Sequence, residues 1–343
     1  MAKPLSSPSM DLRKVQLTGG SSITVTLPKS WVDKAKLQPG DVVGCTQQPD
    51  GSLAIHAHAK GERELQKYVV EVGDDAAEYL FRKIIAAYLM GYDAIVLTSK
   101  RPLSPNARLA IRQGVRRIIG LEIVEEEPTS ITVQDFLDPR EFHMDKALRR
   151  MSMLTQAMQE EAFTALRTPS ADVLRSLNDR DDEVDRLYWL VNKQYHAMMR
   201  DVSYAAKMEL TASQALNFLL VARLIERTAD HADRIAHQAL DLTRSKTMEA
   251  FVTRLEKEGR RAADLFRESI QVFLKKDAKR ANALIDEANQ FAKGQEKLLK
   301  DAAALSAEAM SHLAFIIESI GRTAAYAADI SEVAINHKVA AAP

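Results

Sequence analysis

The sequence predicts a multidomain protein with an amino-terminal β module, a small α/β sandwich and an all-α half built from a pair of three-helix bundles. Apolar and polar residues alternate between residues 15 and 27, as in half-buried strands. Strand-like and helix-like segments alternate between residues 65 and 138, and a helical period with almost no proline or glycine follows from residue 139. Because 343 residues exceed what one simple core accommodates, two or three domains are expected.

The amino-terminal module is expected to cover residues 11–60, after a disordered tail of residues 1–10 that is rich in Ser and Pro. Its first two strands flank the turn Thr18-Gly19-Gly20-Ser21, which predicts a hairpin, and a short helix follows Pro28. Two more strands complete the module, at residues 42–47 and 52–58.

The α/β unit is expected to cover residues 62–138 and to form a two-layer sandwich. Its predicted elements are, in order, a strand at 68–72, a helix at 75–90, a strand at 94–97, a helix at 105–119 and strands at 122–126 and 130–133. Asp74 and either Ser104 or Pro105 are the expected helix starts, and Gly91 and Gly120 are the expected stops.

The helical half is expected to fold as two three-helix bundles, at residues 140–243 and 244–338. Six helices are predicted, separated by breaks near residues 168–170, 201–203, 243–246, 277 and 300. The segment Ile225–His231 has an echo in Ile320–Tyr326, which suggests that one bundle is a duplicate of the other.

Composition excludes several classes of protein. The single Cys45 rules out an internal disulfide and favours a reducing compartment, and no apolar run is long enough to span a bilayer, so a cytoplasmic protein without direct membrane insertion is expected. Lysine plus arginine balance aspartate plus glutamate at 47 each, so nucleic acid could bind only through a local charge. The first 60 residues carry seven basic and four acidic side chains, which is a small positive excess.

Two pairs of carboxylates are candidates for a metal site. Asp181 and Asp185 are four residues apart on one predicted helix, and Glu226 and Asp230 are four apart on the next, so each pair lies on one helix face. If the two faces converge, a hard or borderline cation would relieve the repulsion, and His231 could add a nitrogen ligand. Surface helices also carry this spacing when the acids pair with neighbouring arginines, so spacing alone leaves both interpretations open.

The sequence favours binding over catalysis. It contains no phosphate-binding Walker loop, no nucleophile elbow and no dinucleotide fingerprint, and no histidine follows Asp or Glu at the spacing of a ferritin-like di-iron enzyme. No catalytic residue is therefore assigned. Arg108, Arg112 and Arg116 form a basic stripe, for which a solvated helix face is the commoner explanation.

The segment from Arg13 to Val43 resembles the AbrB/SpoVT family of swapped-hairpin domains. The resemblance implies that two chains interleave their hairpins into one β barrel, which makes the protein a homodimer. In that family basic residues of the barrel bind DNA, and the corresponding side chains here are those of Arg13, Lys14, Lys29 and Lys34. The same fold can also serve only to dimerise.

The helical half resembles the PhoU family through its two acidic motifs, Asp181–Leu187 and Glu226–Ala232. The resemblance covers about residues 142–337 and implies bundles whose acidic motifs can hold metal clusters, often iron or zinc, with magnesium or manganese as alternatives. The second repeat departs from the pattern, since the counterparts of the four acids are Gly321, Ala325, Ala288 and Ala292.

These resemblances imply a non-enzymatic regulator of phosphate uptake that binds DNA through its β module. The alternative is a protein adaptor on a phosphate transporter ATPase or a sensor kinase, with the β module used only for dimerisation. A metal-dependent enzyme built on the four carboxylates is the third hypothesis.

Overall fold

The structure is a computed structural model that describes residues 11–47, 51–57, 65–73, 75–137, 142–200, 202–242, 246–303 and 307–341. The predicted tail at residues 1–10 and the predicted helix start at Asp74 lie outside these ranges. The chain divides into two units, Met1–Leu65 and Gln66–Pro343. The boundaries predicted within the second unit stay predictions. None of the described helices is both long and apolar enough to cross a membrane.

The first unit contains two small antiparallel sheets and a short helix. Its elements are β1 (Gln16–Thr18), β2 (Ser22–Thr24), α1 (Lys29–Lys34), β3 (Gly44–Gln47) and β4 (Leu53–His56), with β1 paired to β2 and β3 paired to β4. Gly19 and Gly20 have φ values of +65° and +84° in the first hairpin, a region that favours glycine. The described strands of one chain therefore form two separate sheets rather than a closed barrel.

The second unit begins with the predicted α/β sandwich. Its elements are β5 (Lys67–Glu71), α2 (Ala77–Leu89), β6 (Ala94–Thr98), α3 (Pro105–Arg116), β7 (Leu121–Glu126) and β8 (Ser130–Asp135). The sheet has the order β5-β6-β8-β7, in which β5 and β6 are parallel and the other pairs are antiparallel. The Ser104 hydroxyl accepts from the Ala107 amide and caps α3, as predicted, and Gly91 and Gly120 have positive φ where α2 and α3 have ended.

Helix α3 ends at Arg116, three residues before its predicted end. Position 114 inside this helix is occupied by glycine, and a Cβ there would come within 2.8 Å of the Phe81 ring of α2. The glycine therefore allows the close approach of the two helices. Behind the helices, buried side chains of both layers form one core, which includes Ile84, Ile95 and Ile111.

The helical half contains seven described helices instead of the six predicted. They are α4 (Met144–Arg167), α5 (Ala171–Arg200), α6 (Val202–Met208), α7 (Ala212–Leu240), α8 (Lys246–Lys275), α9 (Ala278–Ala303) and α10 (Ala307–Ala340). The additional helix is the short α6, and the residue after it, Glu209, has a φ of +53°. Thr211 and Gln214 then start α7 with a capping box.

The two sets of helices share one hydrophobic core. Helices α4, α5 and α7 form the first set and α8, α9 and α10 form the second, while α7 also packs on α10 and α4 on α8. Gly259 allows the close approach of α8 to α4, since a Cβ there would lie 2.5 Å from the Phe163 ring. A buried ion pair between Lys193 of α5 and Asp135 of β8 links the α/β sandwich to the helical half.

Candidate metal site

Helices α5 and α7 bring the two predicted carboxylate pairs to one place. Val184 on α5 and Ile225 and Ala229 on α7 are buried, and these apolar positions fix which face of each helix meets the other. Asp181 and Asp185 lie beside Val184 on α5, and Glu226 and Asp230 each follow one of the two buried residues of α7. The acidic side chains therefore border the α5–α7 contact.

The electrostatic coupling of these carboxylates shows that they are neighbours in space. Burial raises the pKa of Asp181 to about 7, and the negative charges of Asp185 and Asp230 add to the shift. Burial raises the pKa of Asp185 to about 6, again with a contribution from Asp230. Burial raises the pKa of Glu226 to about 7, where Asp230 acts in the same direction and Arg223 opposes it. We call Asp181, Asp185, Glu226 and Asp230 the acidic cluster.

Two further side chains belong to the surroundings of the acidic cluster. Asp233, one turn beyond Asp230, has a pKa raised by burial, and its charge contributes to the raised pKa of Asp181. Arg223 donates to one oxygen of Glu226 at 2.7 Å, and its guanidinium lies 5.2 Å from the centre of the Tyr188 ring. Sequence reasoning missed both residues, although each is three positions from a predicted ligand on the same helix.

One buried carboxylate oxygen of the acidic cluster, on Glu226, has no hydrogen-bond partner. Glu226 is only 9% exposed, and while its Oε1 accepts from Arg223, its buried Oε2 has no hydrogen-bond partner. A buried carboxylate oxygen is costly unless a donor or a cation satisfies it. A cation held by oxygen ligands therefore fits the chemistry of this set. In the described residues no three acidic, histidine or cysteine side chains are already arranged as ligands, so binding requires side-chain adjustment.

His231 faces away from this role. Its Nδ1 lies 3.1 Å from the Ser319 hydroxyl on α10, and its ring packs 5.8 Å from that of Tyr326. Burial lowers the pKa of His231 to about 4, so the imidazole is neutral at physiological pH. The contacts of this side chain thus belong to the interface between α7 and α10.

The second bundle has a different surface at the related positions. Gly321 lies beside Gln295, and a Cβ added to Gly321 would meet that side chain at 3.6 Å. Ala325 is exposed on α10, while Ala288 is buried in the shared core. The acidic cluster of the first bundle therefore has no acidic counterpart at Gly321 and Ala325.

The basic residues predicted to bind DNA are all exposed in the first unit. Arg13 and Lys14 precede β1, and Lys29 and Lys34 are the first and last residues of α1. The Arg13 guanidinium pairs with Asp11 at 2.5 Å.

The arginine stripe of α3 is different, because Arg108 and Arg112 both pair with Glu126 of the neighbouring strand β7. Those ion pairs support the interpretation of the stripe as a structural surface.

Comparisons with known proteins match two segments of the chain to two different family models. The sequence profile of the PhoU domain matches residues 148–239, and that of the antidote-toxin recognition MazE bacterial antitoxin matches residues 16–63. The chain is 26% identical over 213 residues to a phosphate-specific transport system accessory protein PhoU homolog of Pseudomonas aeruginosa, covering 60% of this chain and 81% of that protein. It is 27% identical over 123 residues to the phosphate-specific transport system accessory protein PhoU homolog 1 of Thermotoga maritima, covering 36% of this chain and 50% of that protein. Both resemblances predicted from the sequence, to PhoU and to an AbrB-like module, are confirmed.

Proposed function

We propose that this chain, which carries a PhoU domain and a MazE/AbrB-like domain, is a non-enzymatic cytoplasmic regulator of phosphate uptake that binds DNA. The observation that carries the proposal is the presence of both domains in one polypeptide, since the PhoU-like half matches phosphate transport accessory proteins. The helical half senses the state of the cell or docks on a partner, and the β module acts on DNA.

The exposure of the first unit supports a homodimer. None of its described residues is buried, and its strands expose large apolar side chains, among them Leu17 at 69% and Ile23 at 73%. Burying one such side chain contributes about 1.5–3 kcal/mol, so a single copy forgoes most of the stability that these residues can supply. A second copy that interleaves its hairpins would cover both sheets and close them into the predicted barrel.

Dimerisation would also create a stronger site for DNA. The basic side chains of Arg13, Lys14, Lys29 and Lys34 would occur twice around a twofold axis, as palindromic DNA requires. Contacts between these cations and phosphates make binding dependent on salt, because each neutralised phosphate releases counterions.

Phosphate uptake in cells tests the proposal. We expect cells without the protein to take up phosphate faster when phosphate is plentiful, and the wild-type gene to restore the slow rate. A variant in which Arg13, Lys14, Lys29 and Lys34 are replaced by Ala should fail to restore it, whereas K100A/R116A, which removes exposed charges from the α/β sandwich, should succeed. An uptake rate that is the same with and without the protein would contradict the proposal.

The acidic cluster is proposed to hold a metal ion, one of the four that the resemblance implies: iron, zinc, magnesium or manganese. The unpartnered Oε2 of Glu226 and the raised pKa values of Glu226, Asp181 and Asp185 support the binding of a cation here. An all-oxygen set suits iron, manganese and magnesium better than zinc, which more often takes nitrogen or sulfur ligands. Elemental analysis and a metal titration monitored by thermal unfolding would test the assignment.

The second candidate function is that of an adaptor on a phosphate transporter ATPase or a sensor kinase. The names of both relatives, which describe accessory proteins of a phosphate transport system, favour it. A pull-down from cells grown at high and at low phosphate should then recover one of these partners. Recovery of neither, under both conditions, would count against the adaptor.

A further inference from the structure

We propose that strand β5 pairs with β5 of a second copy of this chain, antiparallel around a twofold axis, to join two α/β sandwiches through one continuous sheet. Strand β5 is at the end of the sheet order, and no other described strand pairs with its outer edge. Unpaired edges of this kind are templates for the addition of another strand.

The hydrogen bonds of β5 show which of its backbone groups are free for such pairing. The Gln66 carbonyl and the Val72 amide both bond toward β6, so the residues of even number face the sheet. Lys67, Val69 and Glu71 therefore direct their backbone amides and carbonyls outward. The Glu71 carbonyl accepts from the Lys83 ammonium at 3.2 Å, which agrees with this direction, and its second lone pair can accept from another strand.

The side chains of these three residues make the edge complementary to itself. Val70 packs into the core, so Lys67, Val69 and Glu71 lie together on the opposite face, where Val69 is 61% exposed. If Val69 lies opposite the partner's Val69, Lys67 comes opposite the partner's Glu71 at both ends of the pair. Every outward residue then forms a hydrogen-bonded pair, and every charge meets one of opposite sign.

This pattern differs from an edge that is protected against pairing. Protective edges carry charges that would repel a second copy of themselves or that point inward. Here the positive and negative ends are placed so that only the centred antiparallel register satisfies both. The exposed side chains of Tyr79 in α2 and of Met90, which directly follows α2, flank a groove of about 400 Å³ beside the same strand.

The chain itself would favour the encounter of the two edges. Strand β4 ends at His56 and β5 begins at Lys67. Only residues 57–66 therefore separate β5 in sequence from the amino-terminal β module, which is proposed to dimerise. A short connection raises the effective concentration of one edge near the other. The inference draws on the proposed dimer for this step, but it depends on neither DNA binding nor the metal.

Disulfide trapping in the full chain tests the pairing. The native Cys45 is exposed and is first replaced by Ser, and the variants V69C and K67C are then oxidised mildly in that background. Val69 would lie opposite its own copy at about 5.5 Å between Cα atoms, within the reach of a disulfide. The two Lys67 residues would be about 14 Å apart between Cα atoms, beyond that reach. We expect V69C to form covalent dimers at least about tenfold faster than K67C.

Charge reversal at Lys67 and Glu71 gives a second test, in which the rate of disulfide trapping is again measured on V69C. In V69C, K67E alone or E71K alone would place like charges opposite each other and slow trapping on the order of tenfold. The combination of K67E with E71K should restore the rate. These residues are exposed, so the variants are expected to keep the fold, which circular dichroism can verify.

The outcomes separate this inference from the proposed function. If sedimentation shows a dimer but V69C is trapped no faster than K67C, the edges do not pair and the amino-terminal module alone dimerises. If sedimentation shows a monomer, both the pairing of β5 and the dimerisation of the amino-terminal β module are wrong. Fast trapping of V69C without any binding of DNA would uphold the pairing and contradict the DNA-binding function.

Discussion

Replacing Glu226 by Gln should stabilise the metal-free protein at alkaline pH. The substitution keeps the size of the side chain and an oxygen that can accept from Arg223, but removes a negative charge from the acidic cluster. Glu226 is 9% exposed, so water does little to screen that charge. In the metal-free wild-type protein this buried charge lowers the free energy of unfolding. The E226Q variant lacks the charge and therefore lacks this loss.

The magnitude follows from the pKa of Glu226, which burial and Asp230 raise from 4.5 to about 7. A carboxyl with a raised pKa contributes its full stability below pH 4.5 and loses it as the pH rises through 7, because the unfolded chain releases its proton first. One pKa unit corresponds to about 1.4 kcal/mol, so the free energy of unfolding of E226Q should exceed that of wild type by about 3 kcal/mol at pH 8. The same difference should be below about 1 kcal/mol at pH 5.

Urea unfolding in the presence of a chelator, at pH 5 and pH 8, measures this difference. The matched control is E183Q on the neighbouring helix α5, where the partly exposed Glu183 pairs with Arg150 at 2.7 Å. Loss of that pair should lower the free energy of unfolding by about 0–1 kcal/mol at pH 8. The reasoning would be refuted if E226Q is no more stable than wild type at pH 8, or if its free energy of unfolding rises equally at both pH values. Either result would mean that the charge of Glu226 does not destabilise the folded protein.

Two further predictions concern packing in the second unit. K193A should lower the free energy of unfolding by about 3–5 kcal/mol in urea, because Asp135 would keep a buried charge without its partner. A loss below about 1 kcal/mol would mean that water reaches Asp135. G259A should cost about 1–3 kcal/mol, since its Cβ would press on the Phe163 ring, whereas G294A in α9 meets open space and should gain up to about 1 kcal/mol. Equal thermal shifts of the two glycine variants would contradict the close approach of α8 to α4.

The local signals of the sequence predicted most elements of the fold. Ser104, Gly91 and Gly120 act through their own backbone and side-chain chemistry, so their positions predict where helices start and stop. Helix α6 was missed because the sequence predicted one break at residues 201–203 and no second break after Met208. Glu209 ends α6 there with a φ that few non-glycine residues adopt, and neither proline nor glycine marks the position.

The shared core of the two bundles lies beyond what the sequence alone predicts. Periodicity identifies the apolar face of each helix but does not say which helix covers it. The contact of α7 with α10 buries the polar side chains of His231 and Ser319, which lie 88 residues apart in the chain. Only the folded arrangement pairs them.

The sequence predicted the four carboxylates of the candidate site but not the side chains that surround them. A spacing of four residues predicted that Asp181, Asp185, Glu226 and Asp230 lie on two helix faces, and the structure brings those faces together. Charged residues are so frequent on these helices that spacing cannot show which of them are buried together, and Asp233 could not be distinguished from its exposed neighbours for that reason.

A gel shift of the full-length protein on DNA upstream of its own gene and of phosphate-transport genes, across a salt series, tests the central claim most directly. The proposal predicts a retarded complex that weakens steeply with salt. For R13A/K14A it predicts a slope of log affinity against log salt that is shallower by about one for each phosphate that is no longer neutralised. The control K100A/R116A should behave as wild type. Absence of a complex at low salt, or unchanged binding by R13A/K14A, would contradict the assignment of DNA binding to these residues of the amino-terminal module.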